Sequence, residues 1–168
     1  MRLILGLMYI VCAWRWGDWK HWKMYYPTIL FFIIGNLIYQ VLTYNQPMWL
    51  LKKSIIPTDT LISIYLAFVC YPAIVLMYIP HFPKQKFKIC LYLLLWTAIS
   101  GAIELIAVKF HLITYHNGWN YYWSLFFDLF MYLFLIIHYK NPLIAWLLTA
   151  CFILFLWFHF GLTLNNLR

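Results

Sequence analysis

The chain has 168 residues, of which 66% are apolar and 10% charged, and its 12 Lys and Arg against 4 Asp and Glu give a formal charge of +8. Soluble domains are roughly half apolar and about a quarter charged, and a soluble fold of this length leaves about 30% of its unfolded surface in water. So few charged side chains cannot cover that area, which excludes a soluble enzyme, a disordered tail and a secreted disulfide scaffold.

In chain order, Arg2 opens an apolar stretch to Ala13 that runs into Trp14-Arg15-Trp16 without a small-residue cleavage site, so it reads as a retained first helix. Residues 2–16 are short for about 30 Å of hydrocarbon at 1.5 Å per residue. The aromatic stretch Trp14, Trp16, Trp19 and Trp22 is expected to continue this helix into the headgroup layer. Five further runs, 27–44, 59–79, 88–108, 119–139 and 142–162, are long enough to span. Six helices of about 20 residues leave only short connections. The expectation is therefore an all-α integral membrane bundle, a single transmembrane helical domain over residues 1–168.

The punctuation fits that division. Thr58-Asp59 and Asn141-Pro142 read as helix starts, the second with proline in the first turn. Pro80 and Pro83 bracket a connection, and Asn117-Gly118 reads as a turn. Pro72 falls inside the third span, where neighbouring helices can satisfy the carbonyl it frees. Cys12, Cys70, Cys90 and Cys151 lie in or beside apolar runs without metal-ligand spacing and read as small hydrophobes.

The basic residues gather at helix ends, as in Lys52-Lys53 and Lys84, Lys86 and Lys88, which suits anchoring to lipid phosphates and not nucleic-acid binding. With six spans, Arg15, Lys20, Lys23, Lys84, Lys86, Lys88 and Lys140 fall on one side and Arg2, Lys52, Lys53, Lys109 and Arg168 on the other. That excess favours both termini outside.

Asp18 and Asp59 fall at helix ends, but Glu104 and Asp128 lie within spans, where an ionised carboxylate costs about 2.5–3.5 kcal/mol or more. Glu104 stands eleven residues before Tyr115 and Asp128 thirteen after it, so an antiparallel hairpin brings them to similar depth. The helical neighbours of Glu104 are Thr97, Ser100, Gly101, Ala107 and His111, and those of Asp128 are Tyr121, Ser124 and Tyr132. With Asn36, Tyr39, Gln40 and Thr43 on the second span and Asp59, Ser63 and Cys70 on the third, these stripes are expected to converge on a polar interior. A packing pair and a proton, cation or ligand site are both open readings for the two acids.

Spacing does not support a metal site at His111, His116, His159 and Asp59, because there is no HExxH and no pair four residues apart. Nor does any serine stand in a G-x-S-x-G context. Trp49, Trp119, Trp123, Trp146 and Trp157 fall near span ends and read with the first four as an interfacial belt. Trp96 lies deeper, one turn from Ser100, where it can line a pocket for a flat ligand.

The runs WRWGDWKHWKMYYPTILFFIIGNLIY (14–39), YIPHFP (78–83), YHNGWN (115–120) and HYKNPL (138–143) resemble a family of small multi-spanning membrane proteins of spore-forming Gram-positive bacteria. This resemblance covers most of the chain and implies a bacterial cell membrane, without carrying over a catalytic or binding residue. In size, helix count and aromatic content only, the chain also resembles the substrate-binding subunits of vitamin-importing energy-coupling-factor transporters. A small-xxx-small pattern on the first helix is missing, since Ile10 follows Gly6 by four.

The resulting expectation is a bundle, without a cofactor, that binds or translocates a small solute or ion among membrane lipids. Glu104 and Asp128 serve as its site, assisted by Asn36, Ser100, Ser124, His111 and Trp96. The alternatives are a docking subunit of a bacterial membrane complex, with a partner protein or further copies of the chain, and an intramembrane lipid-modifying enzyme using His111, His116 and Asp128.

Overall fold

A computed structural model gives the architecture, and it describes residues 2–51 and 59–163. Six helices dominate it: α1 (Arg2–Trp16), α2 (Trp22–Leu42), α3 (Asp59–Tyr78), α4 (Lys86–Lys109), α5 (Tyr121–Lys140) and α6 (Pro142–His159). All but α1 are long and apolar enough to cross a membrane. α5 is the hub, packing on α4, α6 and α2, while α3 lies on the other side of α2 and carries α1. The shared core comes chiefly from α2, α3 and α5, with Phe32, Val75, Tyr78, Tyr132 and Leu135 all buried. Helices α4 and α6 turn rows of large apolar side chains outward, among them Phe87, Leu91, Leu95, Leu143, Leu147 and Phe158. Hydrocarbon is a suitable neighbour for such rows, since lipid tails solvate them as well as a protein core does.

Alternation of helix direction defines two ends. One holds the α1–α2 link, the α3–α4 connection and the α5–α6 turn; there Asp18 N–H donates to Leu76 O at 3.1 Å and Lys140 lies over the Phe82 ring. The first link departs from expectation. Helix α1 does not run on through its tryptophans: Gly17 and Asp18 break it, and residues Trp19–His21 form a 3-10 turn before α2 begins at Trp22. The break is fixed locally, with Trp19 Nε1–H donating to Ala13 O at 2.6 Å and Asp18 accepting from His21 N–H, the His21 ring and Tyr25 OH. Helix α2 consequently starts five residues before the expected Pro27, which it carries in its interior.

The opposite end holds two three-residue strands not expected from the sequence, β1 (Trp49–Leu51) and β2 (Ile113–Tyr115). They pair antiparallel, with Trp49 opposite Tyr115, Leu50 opposite Thr114 and Leu51 opposite Ile113. Asn117 and Gly118 both have positive φ, 52° and 81°, and Trp119 N–H closes the turn on His116 O at 3.0 Å. This is the hairpin-type turn that an Asn-Gly pair favours. Pro142 stands in the first turn of α6 as expected, after Asn141, whose side chain makes no cap hydrogen bond. Helix α3 starts at Asp59, where the sequence places a helix start, and Thr58 lies outside the described residues.

Candidate functional site

Against the ribbon end, α1 to α5 enclose a cavity of about 470 Å³. Its polar lining comes from the stripes read along the helices: Asn36 from α2, Ser63 from α3, Ser100 and Glu104 from α4, and Ser124 and Asp128 from α5. Helices α4 and α5 each contribute two positions four apart, which is how a helix presents one face. The rest of the wall is aromatic and aliphatic, with Trp49, Trp119, Phe32, Tyr71 and Phe127 on one flank and Leu5, Met8 and Ile106 on another. Five of the seven residues proposed as a site from the sequence therefore share one space.

Most of the polar groups are paired. Asn36 and Ser63 exchange hydrogen bonds at 3.0 and 3.1 Å, Gln40 donates to the same Ser63 Oγ at 2.8 Å, and Tyr71 OH reaches Asn36 Oδ1 at 3.4 Å. Ser100 Oγ and Tyr132 OH are 2.6 Å apart. Trp119 Nε1–H donates to Ser124 Oγ at 2.9 Å. Glu104 Oε1 accepts from Tyr115 OH at 2.7 Å, which ties α4 to the ribbon. Tyr115 lies outside the spans; burial, then its bond to Glu104, raises its hydroxyl well above the usual tyrosine range, so it remains a donor.

Asp128 differs from these. It faces the cavity, interacts electrostatically with Glu104 and with the Tyr9 and Tyr71 hydroxyls, and accepts no hydrogen bond from the described residues. No Lys, Arg or His is among the described residues that line the cavity.

The floor is shut toward the other end. Tyr132, fully buried, forms the floor, and behind it its ring packs on Tyr78 and Trp96 at 5.0 and 5.7 Å. Tyr78 OH donates to Tyr132 O at 3.0 Å and Tyr92 OH to Tyr78 O at 2.8 Å. Trp96 thus does not line the cavity: its side chain leaves α4 one turn before Ser100, which places it beneath the floor. His111 is also outside. It ends α4 at φ 53° and is exposed, because the chain turns toward β2 before the Glu104 stripe reaches another turn. His116, bonded to Thr114 Oγ1 at 3.0 Å, is exposed as well, so neither histidine shares the cavity with Asp128.

A second, smaller cavity of about 160 Å³ adjoins the first. Trp49, Trp119, Phe32, Asn36 and Phe127 line both, and Trp49 lies flat on Tyr39 at 4.1 Å and 4°. Sequence reasoning placed Trp49 and Trp119 in the interfacial belt and overlooked Tyr9 and Tyr71. The tryptophans beside a hairpin turn gave no sign of pointing inward. Tyr71, one residue before Pro72 on a span rich in apolar residues, gave none either.

The fold defines the class of protein: an all-α bundle with five helices able to span a membrane, hence multi-pass. No family model, curated protein or solved structure matches the chain.

Proposed function

We propose that this chain is a multi-pass protein of a bacterial cell membrane that binds a small solute in the cavity below the ribbon. The observation that carries the reading is Asp128, a carboxyl at membrane depth that faces open space without a hydrogen-bond donor from the described residues. Leaving such a group unpaired in a lipid-embedded bundle costs on the order of 2.5–3.5 kcal/mol, and a solute that pairs with it recovers that cost. Packing alone is served by the paired groups nearby, which hydrogen-bond one helix to another, whereas Asp128 bridges to no other described residue. The volume also falls in the range of small-molecule sites, roughly 300–1,000 Å³. Tyr132 packs on Tyr78 and Trp96 behind the cavity, so any translocation toward that end requires these rings to part.

The test is thermal stabilisation of the purified protein by a panel of small amines, sugars, nucleosides and carboxylic acids. The wild type is stabilised saturably by at least one class. Ala107→Trp, which fills the cavity from α4, abolishes that stabilisation. An unresponsive wild type, or equal stabilisation of Ala107→Trp, contradicts the proposal.

A further inference from the structure

On the reading that the cavity takes a solute, we infer that the solute is an organic monocation, with an amine or quaternary ammonium head at Asp128 and an apolar ring body against the Trp49 and Trp119 wall. Four observations carry this.

First, the charge of the described lining residues has one sign. Glu104 and Asp128 both face the cavity and no basic side chain is among its described lining residues. An anion placed there meets like charge in a poorly solvated space, which costs several kcal/mol. Second, the two acids are not equivalent. Glu104 is held by Tyr115 OH, whereas Asp128 is unpaired among the described residues, so one carboxyl is free for one positive centre.

Third, the space is the wrong kind for an inorganic ion. A calcium-like ion takes six to eight oxygens at about 2.3–2.6 Å, while the described residues contain no group of three His, Cys, Asp or Glu able to hold a metal. The volume, about 470 Å³, is that of a ring-bearing molecule and not of a bare ion. Fourth, the walls match the remainder of such a molecule. Trp49, Trp119, Tyr71 and Phe127 line the same cavity as the acids, and aromatic rings attract ammonium groups by about 0.5–2 kcal/mol in addition to burying apolar area.

The experiment uses the full chain in detergent and four soluble probes that share one ring: benzyltrimethylammonium, benzylamine, benzyl alcohol and phenylacetate. Calorimetric titration at neutral pH is expected to give saturable binding of the two cations, and at least about tenfold weaker binding of the alcohol and the anion. Asp128→Asn weakens the cations by about tenfold or more, and Glu104→Gln weakens them less. Trp49→Leu, which retains both acids, weakens benzyltrimethylammonium by about tenfold and gives the readout should Asp128→Asn fail to fold. Cation affinity unchanged in Asp128→Asn or in Trp49→Leu overturns the inference.

The cation and the solute cavity are distinguished by the same probes. Benzyl alcohol or phenylacetate binding as tightly as the cations, with loss of that binding in Ala107→Trp, overturns the cation and leaves the solute cavity standing. No saturable binding of any of the four probes overturns the cation inference, while a response of the wider panel that is abolished in Ala107→Trp leaves the cavity reading in place. An unresponsive panel overturns both.

Discussion

At the scale of single residues, the molecule separates polar groups that hold it together from the Asp128 carboxyl, which among the described residues has no hydrogen-bond donor. His138 belongs to the first kind: it is buried, 3.0 Å from Thr28 Oγ1, with its ring stacked on Phe31 at 4.3 Å. Thr28→Val removes that partner from a buried ring nitrogen, and a destabilisation of about 1–3 kcal/mol is expected, measured by denaturant or thermal unfolding in detergent; an unchanged midpoint contradicts the assignment. Asp18 belongs there too, at the surface. Hydrogen bonds from His21, first, and from Tyr25 hold its carboxyl below the usual carboxylate range. A carboxylate held low contributes to the folded state above its unfolded value and loses that contribution as pH falls through the lowered one. The clasp on the 3-10 turn is therefore intact at neutral pH and opens only in acid below the ordinary carboxylate range. Carboxyl-resolved NMR titration checks this, and an Asp18 midpoint at or above the ordinary value contradicts it.

At the scale of elements, close helix approach depends on two glycines. A Cβ at Gly101 on α4 meets Leu125 Cδ2 at 2.5 Å and Tyr121 OH at 2.8 Å on α5, and one at Gly6 on α1 runs into the Tyr65 hydroxyl on α3. Gly101→Val is expected to force α4 off α5 at a cost of about 1–3 kcal/mol, while Gly35→Ala, where nothing lies within 4 Å, is neutral or stabilising by up to about 1 kcal/mol, because alanine favours a helix interior over glycine. Equal melting temperatures for the two variants refute that packing. The helices themselves were legible from runs of apolar residues bounded by Pro, Asn and Gly, and the polar stripes predicted which of their residues meet. The ribbon was not legible. Trp49-Leu50-Leu51 and Ile113-Thr114-Tyr115 are too short to show a period of two, and more than sixty residues lie between them. The role of Gly6 was also hidden, because Tyr65 supplies its partner from another helix and no second small residue marks the contact. For the same reason the site was half legible: periodicity identifies a polar face, but which aromatic rings turn in to complete the wall depends on strand pairing and turns at one end.

At the scale of the whole molecule, the bundle has unlike ends. One is a clasp of tryptophans and basic residues, with Trp14 77% and Trp16 59% exposed and Arg15, Lys20 and Lys23 among them, where amphipathic rings and cations meet lipid headgroups. The other is the ribbon, with Trp49 and Trp119 drawn inward over the cavity. Single cysteines placed at Lys84 and at Asn117, in a chain freed of its four native cysteines, are expected to react with an impermeant thiol reagent from opposite faces of sealed vesicles. Labelling from the same face contradicts the antiparallel order of the spans. The decisive quantity is the state of the Asp128 carboxyl when a solute arrives. Infrared difference spectra of the reconstituted protein, recorded on adding benzyltrimethylammonium, are predicted to show a carboxyl or carboxylate stretching band that is lost in Asp128→Asn and retained in Glu104→Gln; saturable binding without any carboxyl band, or with a band that persists in Asp128→Asn, contradicts the account.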